Sequence, residues 1–327
     1  MENVVVTGGY GFIGSHLVTS LLARGDTVTV FDLTKNTADT SIDFDDHPRF
    51  RFVQGDVTDF AALGDVLTTD VDLVFHLSAM VGIKNYVEDP LRVLDVNVIG
   101  TRHVLELSRR CGIRVLFSST SEIFGKNPSP PFEEDDDRVL GSTRTARWSY
   151  STSKAMAEHL CFAMHSTYGL PVVVVRYFNV YGPRQNPIFV VSQGIWRALN
   201  GLPPYLYDSG EQTRCFTYVD DAVTATLLAA QSPAAAGQAY NIGSMVESSI
   251  KDVVAAIISH AGAEIAPELV DTAAMYGTRY EDIARRIPDS SKAHGELGWS
   301  PGVGIEEGIR RTVAWARDNP WYLQPSQ

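Results

Sequence analysis

Val4-Val5-Val6-Thr7 runs straight into Gly8-Gly9-Tyr10-Gly11-Phe12-Ile13-Gly14, and no other stretch constrains the fold as much. The β-branched run reads as a strand, while Ile13, Leu17, Leu21 and Leu22 recur near the helical period over Phe12–Arg24 until Gly25 stops them. A strand, a glycine loop and an amphipathic helix therefore follow one another. Glycine is required where a chain turns sharply, where backbone must approach a pyrophosphate and where a helix packs closely on a strand; Gly8, Gly11 and Gly14 have the spacing for those three demands. The helix N-terminus, with Phe12 and Ile13 in its first turn, then faces the phosphates. Asp32 closes the next expected strand, Thr27–Asp32, where a carboxylate accepts hydrogen bonds from ribose hydroxyls and repels a 2′-phosphate. The cofactor expected is NAD rather than NADP.

Short β-branched runs alternate with helical segments through the first half. Strands are expected at Asn3–Val6, Thr27–Asp32, Phe50–Gln54, Val71–His76, Arg114–Ser118 and Val172–Arg176, with helices at Leu91–Arg110 and Ser151–Tyr168. This is the pattern of an α/β fold with a Rossmann-type, doubly wound parallel sheet. After about Val180 the alternation loosens at Gly182-Pro183, Asn186-Pro187 and Pro203-Pro204. A smaller mixed α/β C-terminal lobe is expected, giving a cofactor-binding domain over 1–179 and a substrate lobe over 180–327, some segments of which return to the first domain. Helices are expected there at Val190–Asn200, Asp220–Ala230, Ile250–Ala261 and Gly304–Asp318, and Thr34–Pro48 reads as loop.

The 39 acidic against 27 basic residues give a formal net charge of −12, so nucleic acid would be repelled at long range. Three cysteines, Cys111, Cys161 and Cys215, without C-x-x-C spacing suggest neither a disulfide framework nor a thiolate metal site, and no H-E-x-x-H pair occurs; no metal is expected. No apolar run approaches the roughly 20 residues of a membrane span, and a cytoplasmic location is the expectation.

Sites are expected along the carboxyl edge of the sheet, where such folds bind ligands. Asp56 and Val57, after the third strand, lie where a carboxylate meets the adenine amino group, although Asp56 equally suits the cap of a helix starting near Asp59. Leu77, Ser78 and Ala79 follow His76 at the end of the fourth strand and offer backbone contacts to the cofactor. Tyr150 and Lys154 stand four residues apart, on one face of any helix that spans them. A nearby ammonium favours the phenolate, so Tyr150 can serve as a base. Thr120, Ser121 and Glu122 emerge from the strand before, at the same edge.

Taken together, the glycine loop, Thr120, the Tyr150/Lys154 pair and Arg176-Tyr177-Phe178-Asn179-Val180-Tyr181-Gly182-Pro183-Arg184 resemble the extended short-chain dehydrogenase/reductases, the epimerases and dehydratases of nucleotide sugars. The resemblance spans nearly the whole chain. Within that family, Asp89-Pro90-Leu91-Arg92, Ser119-Thr120-Ser121-Glu122, Ala146-Arg147-Trp148-Ser149-Tyr150, Gly210-Glu211-Gln212-Thr213-Arg214-Cys215-Phe216 and the segment from Tyr276 to Asp282 with Arg286 look like UDP-glucuronate decarboxylases. The resemblance implies that Thr120 bonds the sugar 4-hydroxyl, that Tyr150 removes its proton, and that Lys154 holds the nicotinamide ribose and depresses the Tyr150 pKa. Glu122, Ser121 and Arg214 would surround a departing carboxylate. Asn179, Arg184, Arg214 and Arg279 are the substrate-binding candidates, Arg214 at the carboxylate and the other three on the diphosphate and uridine side of a UDP-linked sugar, and a homodimer is implied.

Three alternatives stay open at this point. A 4-epimerase needs only Thr120, Tyr150 and Lys154 with a roomy pocket. Thr120-Ser121-Glu122 also resembles the triplet of GDP-mannose 4,6-dehydratases, in which the glutamate handles the C5 proton during loss of water, whereas a glucose-type dehydratase has an acid where Ser121 stands here. A non-catalytic NAD-binding protein would keep the fold alone.

Overall fold

The computed structural model describes all residues except 36–38, 40, 43, 272–282, 284 and 325–327, together with the backbone but not the side chains of residues 83, 84 and 87. Its centre is a seven-stranded parallel sheet. β1 (Asn3–Thr7), β2 (Thr27–Asp32), β3 (Phe50–Gln54), β4 (Leu73–His76), β5 (Arg114–Thr120) and β6 (Val172–Tyr177) are joined by Ala239–Ile242, in the order β3, β2, β1, β4, β5, β6, Ala239–Ile242. The order reverses direction between β1 and β4, the switch point at which a doubly wound sheet opens a crevice.

Both faces of the sheet's centre are covered, which is why β1, β4 and β6 carry unbroken apolar runs, while β2 and the edge strand β3 alternate. Val4 and Val6 pack with Leu17 and Leu21 of the helix Phe12–Arg24 in one core, whereas Val5 turns to the other, with Phe117, Leu105 and Val174. The final strand of the sheet comes from beyond residue 180. The remainder of the C-terminal half forms small sheets and helices that pack on the first core.

Most expected elements appear within a residue or two. Two differ in ways that matter to the site. The single helix expected over Leu91–Arg110 is Pro90–Leu94 and Thr101–Cys111 with a π-helical turn, Asp95–Gly100, between them. The helix expected from Ser151 begins at Arg147, so Tyr150 lies one turn inside it. Among the described residues no helix is long and apolar enough to cross a membrane.

Candidate active site

The carboxyl ends of the strands open onto one cleft of about 1490 Å³. Gly8, Gly11, Phe12, Ile13, Gly14, Asp32, Asp56, Val57, Leu77, Ser78, Ala79, Thr120, Ser121, Glu122, Tyr150, Lys154, Asn179 and Arg214 all line it. It is bounded at one end by the glycine loop and at the other by an arginine cluster.

The glycine loop is closely built. Gly8 has φ 74°, a left-handed conformation, and its N–H donates to the Phe31 carbonyl at 3.1 Å. A Cβ on Gly14 would overlap the Gly8 carbonyl oxygen, so the helix could not approach the strand with any side chain there. The first-turn amides of Phe12 and Ile13 have no intrahelical acceptor and lie at the cleft wall. This cradle fits a dinucleotide diphosphate. Asp32 accepts from the backbone N–H groups of Tyr10 (3.0 Å) and Leu33 (2.8 Å), and burial pushes its carboxyl up from the usual range.

Asp56 does not cap the following helix. That cap is Asp59, which accepts from Ala61 and Ala62 at 3.0 and 3.1 Å, while Asp56 accepts from the Thr58 amide (2.9 Å) and hydroxyl (2.8 Å) and pairs with Arg92. Burial acts to raise its pKa, but these three contacts together outweigh it and hold the carboxyl below the usual range. Asp56 thus stands at the cleft wall as an oriented carboxylate.

At the other end, β5 delivers Thr120, whose hydroxyl oxygen accepts from the Glu122 amide at 3.2 Å and caps the short turn Ser121–Phe124. The helix Arg147–Tyr168 delivers Tyr150 and Lys154 one turn apart, both buried. Tyr150 is hydrogen-bonded with Thr120 and stacks on Tyr86, ring centroids 4.9 Å apart at 13°. Lys154 Nζ donates to the Ser118 carbonyl at 2.8 Å and sits 4.7 Å from the Phe117 ring centroid.

The electrostatics correct one expectation. Burial, and after it the Glu122 charge, push the Tyr150 phenol above its ordinary range, against the smaller pull of the Thr120 hydrogen bond and Arg286. Lys154 does not depress it here, because its ammonium is turned to the Ser118 carbonyl and is itself pushed down by burial to about 8.

Glu122 is the centre of the arginine cluster. Arg147 Nη2 donates to its two oxygens at 3.1 and 3.3 Å, Arg286 pairs with Oε1, and Arg286 Nη1 also donates to the Ser121 hydroxyl at 3.3 Å. Burial works to raise the Glu122 pKa, but Arg286, Arg147 and Arg214 outweigh it and bring the carboxyl down to about 2. A small three-stranded sheet explains how these groups meet: Thr213–Cys215 pairs with Arg285–Arg286 in parallel, with Arg214 and Arg286 in register, so both side chains leave one face.

The sequence assigned no role to Arg147, Arg286, Tyr86 or Arg92. Arg147 had a local signal, being three residues before Tyr150 on one helix face. Arg286 had none, lying 164 residues from Glu122.

One of the substrate candidates is not at the cleft wall. Arg184 is outside the cleft lining and donates instead to the Ser41 carbonyl (2.6 Å) and hydroxyl (3.1 Å), beside Asp39, tying the loop after β2 to the second lobe. Arg279 lies outside the described residues. Asn179 lines the cleft with φ 39°, its side-chain amide donating to the Cys215 carbonyl at 2.8 Å.

Comparison with known proteins agrees with this geometry. The family model of GDP-mannose 4,6 dehydratase matches residues 5–312. A UDP-N-acetyl-α-D-glucosaminuronate decarboxylase of Bacillus cytotoxicus is 38% identical over 97% of this chain and 98% of its own, and UDP-glucuronic acid decarboxylase 1 of Xenopus tropicalis is 34% identical over 97% and 72%. The structure of UDP-glucuronic acid 4-epimerase from Bacillus cereus, in complex with UDP-glucuronic acid and NAD, superimposes with a TM-score of 0.85 at 29% identity, covering 97% of this chain and 99% of that one. The chain belongs to the GDP-mannose 4,6 dehydratase family, among the extended short-chain dehydrogenase/reductases that act on nucleotide sugars.

Proposed function

We propose that this NAD-dependent enzyme oxidises C4 of a UDP-linked hexuronic acid and decarboxylates it. One observation carries the reading: beside Thr120, Tyr150 and Lys154, three guanidinium groups, those of Arg147, Arg214 and Arg286, act on the single carboxylate of Glu122. A C6 carboxylate suits guanidinium groups gathered in this way, since the two match as planar, charge-assisted partners.

The residues fit the cofactor. The cradle of Gly8, Gly11 and Gly14 with the Phe12 and Ile13 amides would hold the diphosphate, Asp32 the adenosine ribose, Asp56 and Val57 the base, and Leu77, Ser78 and Ala79 with Tyr150 and Lys154 the nicotinamide half. Bound NAD supplies the acceptor for the hydride that leaves C4. Thr120 bonds the 4-hydroxyl, and Tyr150 takes its proton once the charge of bound cofactor lowers the phenol pKa. The resulting 4-ketone with a C6 carboxylate is a β-keto acid. When its C5–C6 bond breaks, carbon dioxide leaves and the electron pair moves to the C4 oxygen, where the Tyr150 and Thr120 hydroxyls donate to the enolate. C5 then takes a proton from solvent water, which leaves the C4 ketone. Glu122, ionised and engaged by Arg147 and Arg286, aims those guanidinium groups rather than supplying that proton. Asn179 and Arg214 stand on the substrate side of the cleft.

Ser121 weighs against a glucose-type dehydration, because a hydroxyl bonded to Arg286 is no acid for a departing C6 hydroxyl. A 4-epimerase acting on a UDP-hexuronic acid would meet the same arginine cluster, and the fate of the C6 carboxylate is what separates it from a decarboxylase. Incubation with NAD and either UDP-glucuronate or its 2-acetamido analogue, followed by mass spectrometry of the nucleotide sugar, tests the reading. Loss of carbon dioxide from one of them is the expected result; an unchanged mass with a new stereoisomer, or loss of water, would refute it.

The homodimer belongs to the same proposal. The helix pair around Pro90–Cys111 and Arg147–Tyr168 exposes Leu91 (74%), Ile99 (43%), Met156 (48%) and Tyr168 (60%), an apolar face that a second copy would cover. Sedimentation at micromolar concentration should give one dimeric species, and a monomer would count against it.

A further inference from the structure

Two cations line the adenosine end of the cleft, Lys35 and Arg92, and each is held by a carboxylate. Arg92 pairs with Asp56. Lys35 stands three residues beyond Asp32, in the segment that leaves β2 with Leu33 and Thr34 along the cleft wall. Its Nζ lies 2.7 Å from Asp45 Oδ2, with the two side chains 37% and 31% exposed. Asp45 is outside the cleft lining, so the pair draws the ammonium away from the ribose carboxylate. Ion pairs as exposed as this one add little to fold stability, which leaves the placement of charge as their effect.

Tyr10 fixes Asp45 in place. Its ring is buried against Phe44 and Phe52, with centroids 5.5 and 5.3 Å away, and its phenol donates to Asp45 Oδ1. Burial, and after it the bond to Asp45, push the phenol above its ordinary range, so it keeps its proton and remains a donor. Both oxygens of Asp45 are therefore used, Oδ1 by the phenol and Oδ2 by the ammonium. Tyr10 also belongs to the glycine loop, and its backbone N–H donates to Asp32 Oδ2 at 3.0 Å. One residue thus sets two carboxylates, Asp32 through its amide and Asp45 through its side chain.

We infer that Asp45 is a second determinant of the preference for NAD over NADP, because it holds Lys35 back from the 2′-position of the adenosine ribose. The inference rests on the placement of that ribose at Asp32. A 2′-phosphate brings about two negative charges and needs a cation beside it. A lysine is a compact charge on a flexible four-carbon stem, well suited to reach such a phosphate if nothing else engages it. Asp32 repels the phosphate directly, and Asp45 withholds the cation that would offset Asp32.

Calorimetric titration of the cofactor-free protein with NAD and with NADP, at one low salt concentration and without sugar, gives the ratio of the two Kd values. Asp45→Asn should lower the NADP-to-NAD ratio about tenfold or more, while the Kd for NAD stays within about threefold of wild type. Adding Lys35→Met to Asp45→Asn should return the ratio to within about threefold of wild type, since the freed ammonium is what gains the phosphate. An Asp45→Asn ratio within about threefold of wild type, or a gain that survives Lys35→Met, would overturn the inference. If Asp45→Asn fails to fold, Lys35→Met in an Asp32→Asn background decides it. A lysine already withheld leaves the Asp32→Asn ratio within about threefold, whereas a rise of about tenfold shows Lys35 on the phosphate despite Asp45 and overturns the inference. The two readings fail separately: an Asp32→Asn ratio equal to that of wild type refutes the placement of the ribose, and a ratio that moves with Asp32→Asn but not with Asp45→Asn refutes the role of Asp45 alone.

Discussion

Glu122 shows how burial and charge divide the work at a single residue. A carboxyl removed from water would ordinarily hold its proton, yet Arg286 and Arg147 keep this one ionised, with a pKa near 2. Because the folded value lies below the ordinary value of 4.5, the pairing stabilises the fold fully above pH 4.5 and is lost as pH falls toward 2. Glu122→Gln should therefore melt below the wild type at pH 7, and the gap should narrow as pH is lowered through 4; a constant gap would show that the charge is not what matters. In catalysis the same variant should form carbon dioxide about 100-fold more slowly, as the guanidinium groups lose their anchor. Tyr150→Phe removes the proton acceptor, and cofactor reduction should fall by about 10²–10⁴-fold with nucleotide-sugar binding retained. At the far end of the cleft, Asp32→Asn removes the charge that repels a 2′-phosphate, so the ratio of Kd values for NADP and NAD, measured by titration, should drop about tenfold or more.

Elements position these groups, and here the sequence was uneven as a guide. The strand, glycine loop and helix at the N-terminus were legible because each of its glycines answers a steric demand: left-handed φ at Gly8, contact with the Gly8 carbonyl at Gly14. Thr120, Glu122, Tyr150 and Lys154 were legible because spacing on one strand end and one helix fixes their faces. The π-helical turn was not, since one extra residue per turn leaves the apolar spacing of Leu91–Arg110 nearly unchanged. Arg286 was not, because its place depends on register between strands far apart in sequence. Arg184 misled for a similar reason, as its partner Ser41 sits in a loop with no periodicity. Between elements, the helix Arg147–Tyr168 is pinned to β6 by Arg176, which donates to both Glu158 oxygens at 3.0 and 2.7 Å with both side chains 7% exposed. Arg176→Met leaves Glu158 buried with the Ser119 hydroxyl as its remaining partner and no compensating charge, and chemical denaturation should show a loss of about 3–5 kcal/mol. A loss below about 1 kcal/mol would mean that water replaces the guanidinium.

At the scale of the molecule, a chain of net charge −12 concentrates positive charge at one end of one cleft. Global charge excluded nucleic acid from the reading but could not reveal this local inversion, which needs three distant segments to meet around Glu122. The doubly wound sheet was legible in outline from its alternation of strands and helices, whereas the small sheets of the second lobe, two or three residues per strand, are too short for any period to show. That lobe supplies Arg214 and Arg286, the groups proposed to meet the C6 carboxylate. The most direct measurement is to incubate the protein with NAD and a UDP-hexuronate labelled with carbon-13 at C6, and to follow released carbon dioxide beside the mass of the nucleotide sugar. Labelled carbon dioxide in proportion to a UDP-pentose or its 4-keto form is predicted, whereas label retained in a UDP-hexuronate of inverted C4 would contradict the account.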